Sequence, residues 1–273
     1  GRAAGIVQGG RRMPFDAVIL ACGGLSYPST GSTGEGYTLA KAAGHTVQPL
    51  HPSLIPLVAK YPERCRAMMG LTLKNVRASL WEGGKCRFTE VGELLFTHFG
   101  LSGPLILSAS AHIADYIFQD TCICIDLKPG LDEAKLDMRI LRDFQESPNL
   151  QLKNAMARLL PRGIMEEVLD AANLNGQKAV NAVTREERRR LVQQMKDFQV
   201  PIAGTRGIEE AIITRGGVSL REVNASKMRS KHCSGLYFAG EMLDVDAYTG
   251  GYNLQIAFST GYLAGKSAAE NVN

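Results

Sequence analysis

The sequence has one tryptophan among its 273 residues, and its six cysteines include no C-x-x-C pair. Cys22, Cys65, Cys86, Cys122, Cys124 and Cys233 therefore suggest neither a zinc ribbon nor a redox dithiol, and no metal-ligand set is predicted. Cys122 and Cys124 read as neighbours on one face of a strand. Charge of one sign is also scarce: 31 Lys+Arg against 27 Asp+Glu leave +4, far short of the excess that marks a nucleic-acid-binding chain. Apolar runs of membrane-spanning length and a secretory leader are both missing, so a cytoplasmic location and no membrane partner are expected. Internal repeats and low-complexity segments are absent. There is also no G-x-G-x-x-G turn of the kind that cradles a dinucleotide pyrophosphate.

What is present is a chain 45% hydrophobic, enough to bury a sizeable core in one large or two moderate domains. Its most informative stretch is near the end. An apolar strand over Leu236 to Ala239 runs into Gly240-Glu241, and after a short loop Gly250-Gly251 opens a helix near Asn253. A helix start offers free amides and partial positive charge to an electron-rich ligand, and glycines let backbone approach a ring or phosphate closely. The helix carries Ala257, Gly261 and Gly265 at i+4 spacing, with Leu254, Ile256, Phe258 and Leu263 around it. A buried, closely packed helix is expected.

Upstream, Phe15 to Leu20 reads as a strand ending in Cys22-Gly23-Gly24. A helix follows from about Thr33 to Ala43, with Ser32 and Glu35 at capping-box spacing and Gly44 as its stop. Pro49, Pro52 and Pro56 then break regular structure. Asn75 to Trp81 and Lys85 to Thr89 flank a Gly83-Gly84 turn as a hairpin. Pro104 starts a helix running to about Asp115, with Ser102 as a possible cap. After a strand at Thr121 to Leu127 come amphipathic helices, one with Leu136, Ile140, Leu141 and Phe144 on a face and the last with Leu191, Met195 and Phe198. Thr184 and Glu187 also have capping-box spacing. A strand at about Ala211 to Thr214 leads back through Gly216-Gly217.

The Gly240 to Gln255 segment closely resembles the C-terminal flavin-binding motif of the BaiN/RdsA family of NAD(P)/FAD-dependent oxidoreductases. The resemblance continues through Gly31-Ser-Thr-Gly-Glu-Gly-Tyr37, Leu95-Phe-Thr-His-Phe-Gly-Leu-Ser-Gly-Pro104 and Thr214-Arg-Gly-Gly-Val218, in the family's order and over most of the chain. It implies an α/β fold: a split Rossmann-like FAD-binding domain at 1–48 and 216–273, interrupted by a β-barrel-like domain at 49–215. Within the insertion, strands are expected at 49–128 and 201–215 and a helical subdomain at 129–200. Cys22 stands where the family has threonine. Proteins of the family begin with the strand, glycine turn and helix that hold the FAD pyrophosphate, and this chain reads as one without that portion.

The resemblance implies an oxidoreductase using FAD and NAD(P)H to reduce a carbon–carbon double bond conjugated to a carbonyl, in a small enone such as a steroid or in uridine of ribosomal RNA. Cofactor contacts fall on Gly23, Gly24, Gly240, Glu241, Gly250, Gly251, Tyr252, Asn253 and Leu254. Glu241 is assigned to sugar or ribityl hydroxyls, against a solvent-facing loop carboxylate. The amides of Tyr252 to Leu254 face charge on the reduced ring. His98 and Tyr248 are the candidate proton donors, each against a packing role, with Tyr252 a rival or ring-stacking group. Arg185 to Arg190 is either a solvated helical face or an RNA phosphate contact. The alternative to an enzyme is a flavin-free remnant or a module that binds RNA or protein.

A phosphate loop supplies charge-assisted hydrogen bonds worth about 1.5–3 kcal/mol each. Losing two lowers affinity by about two to four decades. The chain taken alone should therefore lose FAD on desalting, as visible absorption will show; stoichiometric retention would contradict this.

Overall fold

The chain is described by a computed structural model over residues 1–113 and 117–271. It divides into two compact units, one built from Gly1–Ile55 with Arg206–Asn273 and the other from Pro56–Thr205.

The continuous unit is a closed six-stranded barrel. Around it lie Phe198–Thr205, Leu57–Ala59, Gly100–Ser102, Lys85–Phe96, Thr72–Glu82 and Thr121–Asp126, the last pairing back to the first, all antiparallel. Period-two alternation turns Val76, Ala78, Leu80, Ile123 and Ile125 into the core. Cys122 and Cys124 share the outer, half-buried face. Gly83 and Gly84, with φ of 52° and 75°, close the hairpin in the left-handed geometry that suits strand twist. The two strands run further than the sequence pattern predicts, to Glu82 and Phe96.

Four helices follow within this unit, at Glu133–Glu146, Leu152–Met156, Arg162–Ala171 and Arg185–Lys196. Leu136, Ile140 and Phe144 are buried and Leu141 half-buried, as their spacing predicts. Thr184 and Glu187 form the expected capping box, with Thr184 N donating to Glu187 Oε2 at 2.7 Å and Glu187 N to Thr184 Oγ1 at 3.2 Å. Phe198 differs: the helix stops at Lys196, and Phe198 opens a barrel strand. The Pro104 helix spans Pro104–Ser110, capped by Gly103 at φ 91° instead of by Ser102. Asp115, its expected end, lies outside the described residues.

In the other unit the strand Val18–Leu20 pairs in parallel with Leu236–Phe238, which continues antiparallel to Arg229–Ser230 and then to Val223–Asn224. Each parallel strand leads through a glycine-rich loop into a helix, Glu35–Ala42 and Tyr252–Glu270. The Gly9-Gly10 turn joins a short hairpin of Gly5–Gln8 and Arg11–Pro14. Val47–Ser53 pairs antiparallel with Ile213–Val218. That ladder draws residues on both sides of the expected boundaries, 48/49 and 215/216, into one unit, so the divisions fall after Ile55 and Thr205.

Two expectations here are corrected. The first helix begins at Glu35 with Gly34 as its cap at φ 78° and no side-chain cap; a left-handed turn replaces the Ser32–Glu35 box. The terminal helix is not buried all round. Ala264, Ser267 and Ala268 are buried, whereas Leu254, Phe258 and Tyr262 are 62%, 68% and 74% exposed. A side chain on Gly261 or Gly265 would meet nothing within 4 Å, so these two glycines do not serve a close contact. The unit packs one face of this helix, and its apolar composition overstates its burial.

Leu80 and Leu101 are fully buried in the barrel. Leu80→Ala or Leu101→Ala should each cost about 2–5 kcal/mol, read as a shift in the urea unfolding midpoint of the chain; a change below about 1 kcal/mol would mean the site collapses without a cavity.

Candidate cofactor site

Glu241 organises the loops of the two-segment unit. Its Oε1 accepts from Ser26 Oγ at 2.7 Å and from the Thr214 amide at 2.7 Å. Thr214, itself fully buried, turns its hydroxyl the other way: Oγ1 accepts from the amides of Leu25 and Ser26 at 2.7 and 3.1 Å. The loop after Gly24, the head of Thr214–Val218 and Gly240-Glu241 are thus joined by four hydrogen bonds. Gly24 has to be glycine at this junction, because a Cβ there would lie 2.5 Å from Glu241 Oε1 and closer still to Thr214 Oγ1. Glu241 Oε2 takes no hydrogen bond from any described residue, and the side chain is only partly buried.

The Gly31–Tyr37 segment meets the same centre. A Cβ on Gly36 would lie 2.8 Å from Met242 Cε and 3.0 Å from Cys22 Cβ. Tyr37 donates to the Glu241 carbonyl at 3.4 Å. Burial first, and the Glu241 carboxylate second, push the Tyr37 hydroxyl above its ordinary range, so it remains a protonated donor. Gly23, at φ 75°, faces Ser32, whose Oγ would sit 2.6 Å from an added Cβ.

Gly240, at φ 73°, donates its amide to Thr260 Oγ1 at 2.9 Å, which ties the strand end to the terminal helix. Gly250 and Gly251 adopt φ of 110° and 90°, and Gly251 caps the helix in the left-handed region. The first bond of the last helix is Gln255 N to Gly251 O at 3.0 Å, leaving the amides of Tyr252, Asn253 and Leu254 without intrahelical acceptors. Asn253 fixes the preceding loop: Oδ1 accepts from Ala247 N at 2.8 Å, and Nδ2 donates to Ala247 O at 2.7 Å. Burial, reinforced by neighbouring Asp246, raises the Asp244 carboxyl.

The predicted cofactor residues therefore share one unit, and Gly24 touches Glu241 directly. Tyr248 and Tyr252 are exposed beside the helix start. His98 belongs to the barrel unit. It tips the Thr97–Gly100 turn, where Thr97 N donates to Gly100 O at 2.8 Å, and its ring meets Phe99 edge-on at 5.0 Å. Sequence reasoning missed Ser26 and Thr214, although Thr214 heads a quoted motif; a threonine before two glycines reads as strand, and its amide and hydroxyl bonds are visible only in space.

Residues 2–267 match the HI0933-like protein Rossmann domain. The chain belongs to that family. This is the BaiN/RdsA resemblance carried by the four motifs. A 3-dehydro-bile acid delta(4,6)-reductase of Clostridium scindens is 32% identical over 96% of the chain and 64% of its own length. Ribosomal RNA dihydrouridine synthases of Haemophilus influenzae and Escherichia coli are 33% and 31% identical over 90% and 93% of the chain, and over 58% and 60% of their own lengths. This HI0933-like chain thus spans less than two thirds of each of these relatives. Among the described residues no helix is long and apolar enough to cross a membrane.

The glycines of the site should separate experimentally. Gly24→Ala collides with Thr214 and Glu241 and should lower the melting temperature clearly further than Gly251→Ala does. Gly251→Ala meets no protein atom within 4 Å and should cost only the left-handed strain, about 1–2 kcal/mol. Equal melting temperatures for the two variants would remove Gly24 from the junction.

Proposed function

We propose that the Gly1–Ile55 and Arg206–Asn273 unit is an FAD-binding Rossmann-like domain, and that the chain forms part of an NAD(P)H-dependent oxidoreductase acting on a carbon–carbon double bond conjugated to a carbonyl. The observation that carries this reading is Glu241: one carboxylate oxygen is held by Ser26 and Thr214 while the other takes no hydrogen bond from any described residue. A fixed acceptor of that kind suits ribityl or ribose hydroxyls. Gly24 lets the junction that fixes Glu241 close, and the unpaired amides at Tyr252 to Leu254 fit the same ligand. Bound FAD would supply the hydride; the protein supplies position and charge.

The chain's own groups divide the remaining work. The amides at the helix start stabilise negative charge on a ring edge placed against them. Asn253, clamped to Ala247, holds the loop that presents those amides. Tyr248, exposed beside them, and His98, in the barrel unit, are the proton donors to test, since saturating an enone adds a proton to the second carbon. The substrate is a steroid enone or a uracil base, the two chemistries named for the relatives. Support for RNA from the arginine helix is thinner than its composition suggests: Arg188 pairs with Asp137 and Arg190 donates to the Ala172 carbonyl at 2.9 Å. Arg185 and Arg189 remain exposed.

Titration of the chain with FAD, followed by flavin fluorescence, should show weak, saturable binding at a single site, and Glu241→Ala should weaken it at least tenfold. Identical curves for the two proteins would refute the assignment. In a form that holds FAD, Arg185→Glu with Arg189→Glu should weaken uridine-containing RNA and flatten its salt dependence if RNA is the substrate, while enone reduction stays unchanged. Undiminished RNA binding with rapid enone reduction would exclude RNA.

A further inference from the structure

In the same two-segment unit, three donor atoms converge from segments far apart in sequence: His45 Nδ1, Glu222 Oε2 and His232 Nε2, all within 4.8 Å of one another. His45 follows the Glu35–Ala42 helix and is 4% exposed. Its ring is fixed by Ser230 Oγ, 2.7 Å from Nε2, and by the edge-on rings of Phe238 and His232 with centroids at 4.7 and 5.0 Å. Nδ1 is buried without a hydrogen bond, which is uncommon for a buried polar atom. It is aimed at Glu222 Oε2, 3.4 Å away, and Glu222 Oε2 is in turn 3.7 Å from His232 Nε2.

These separations are too long for good N–H···O bonds, and the His45–Glu222 one already matches the edge of a ligand polyhedron. With metal–ligand bonds of about 2.0–2.1 Å and tetrahedral angles, neighbouring donors lie about 3.3–3.5 Å apart. We propose that His45, Glu222 and His232 form a binding site for one zinc-class divalent cation, with water as fourth ligand. Two imidazoles and one carboxylate, without a thiolate, favour such an ion over copper(I), and nitrogen donors disfavour calcium or magnesium.

The surroundings supply the supporting bonds that such a site needs. Thr46 N donates to Glu222 Oε2 at 2.7 Å and holds the carboxylate in place. Ser230 Oγ accepts from the amides of Cys233 and His232 at 2.8 and 3.1 Å, so its own proton goes to His45 Nε2 and the ring proton lies on Nδ1. Metal binding at Nδ1 uses the other neutral tautomer: the ring proton moves from Nδ1 to Nε2 with no net release, Nε2–H donates to Ser230 Oγ, and Ser230 turns its own hydroxyl away and gives up the longer amide contact. The three donors lie within 4.8 Å of one another, and His232, with its side chain 45% exposed, has the freedom to move in and complete the set. The ion would fasten the Ser219–Cys233 segment to the end of the first helix, independently of flavin binding.

The test uses the chain stripped by a chelator, titrated with zinc against a chromophoric competitor, with cobalt(II) as the spectroscopic probe. One saturable equivalent, a tetrahedral cobalt spectrum and a zinc-dependent rise in melting temperature are expected. Glu222→Gln and His232→Asn, both at partly exposed side chains, should each weaken zinc at least tenfold and abolish the thermal shift. Absence of a saturable equivalent overturns the proposal. So does uptake unchanged in both variants, which would place the ion on other histidines or on the free cysteines. Melting that depends on pH but not on zinc also overturns it and leaves the three groups an ion-pair cluster.

Discussion

The two-segment unit depends on one carboxylate oxygen. Glu241 Oε1 accepts both the Ser26 hydroxyl and the Thr214 amide, and Thr214 passes the connection to Leu25 and Ser26 through its own hydroxyl. Hydrogen bonds to an ionised acceptor are about twice as strong as neutral ones, and removing one partner leaves the others buried and unpaired. The geometry of Gly24 follows from this centre, as does the contact of Gly36 with Met242 and the Tyr37 bond to the Glu241 carbonyl. The loops around Glu241 are set less by their own flexibility than by what they are tied to.

Much of the architecture was legible in the sequence because it rests on local signals. Alternation in Thr72–Glu82, the Gly83-Gly84 turn, the Thr184–Glu187 box and the Leu136, Ile140, Phe144 face are patterns that a few neighbouring residues determine. Closure of six strands into a barrel is a different matter. It depends on Thr121–Asp126 finding Phe198–Thr205, and no local rule encodes that pairing.

The corrections share a cause. Ser32 and Glu35 have the spacing of a box, but Gly34 takes a left-handed conformation and starts the helix itself. The terminal helix has apolar residues around its circumference, yet neighbours cover only the Ala264 and Ala268 side. Spacing reports what a segment can do; neighbours decide which option is used. The site shows the same limit. Glu241 and the paired glycines stand out as motif residues, whereas Ser26 and Thr214 matter only because distant loops meet. His45, Glu222 and His232 are likewise scattered in sequence and adjacent in space.

The connection between Ser26 and Glu241 spans 215 positions of sequence, with the whole barrel unit lying between. During synthesis the barrel segment emerges complete before the second half of its companion exists, and its pairings need nothing from the chain's end. The Val18–Leu20 strand, by contrast, waits for Leu236–Phe238 to leave the ribosome. Contacts that close so long a loop form slowly, and domains generally fold as units in order of synthesis. The barrel then acts as a folded spacer that brings the two halves' ends together, shortening the loop the later contacts must close.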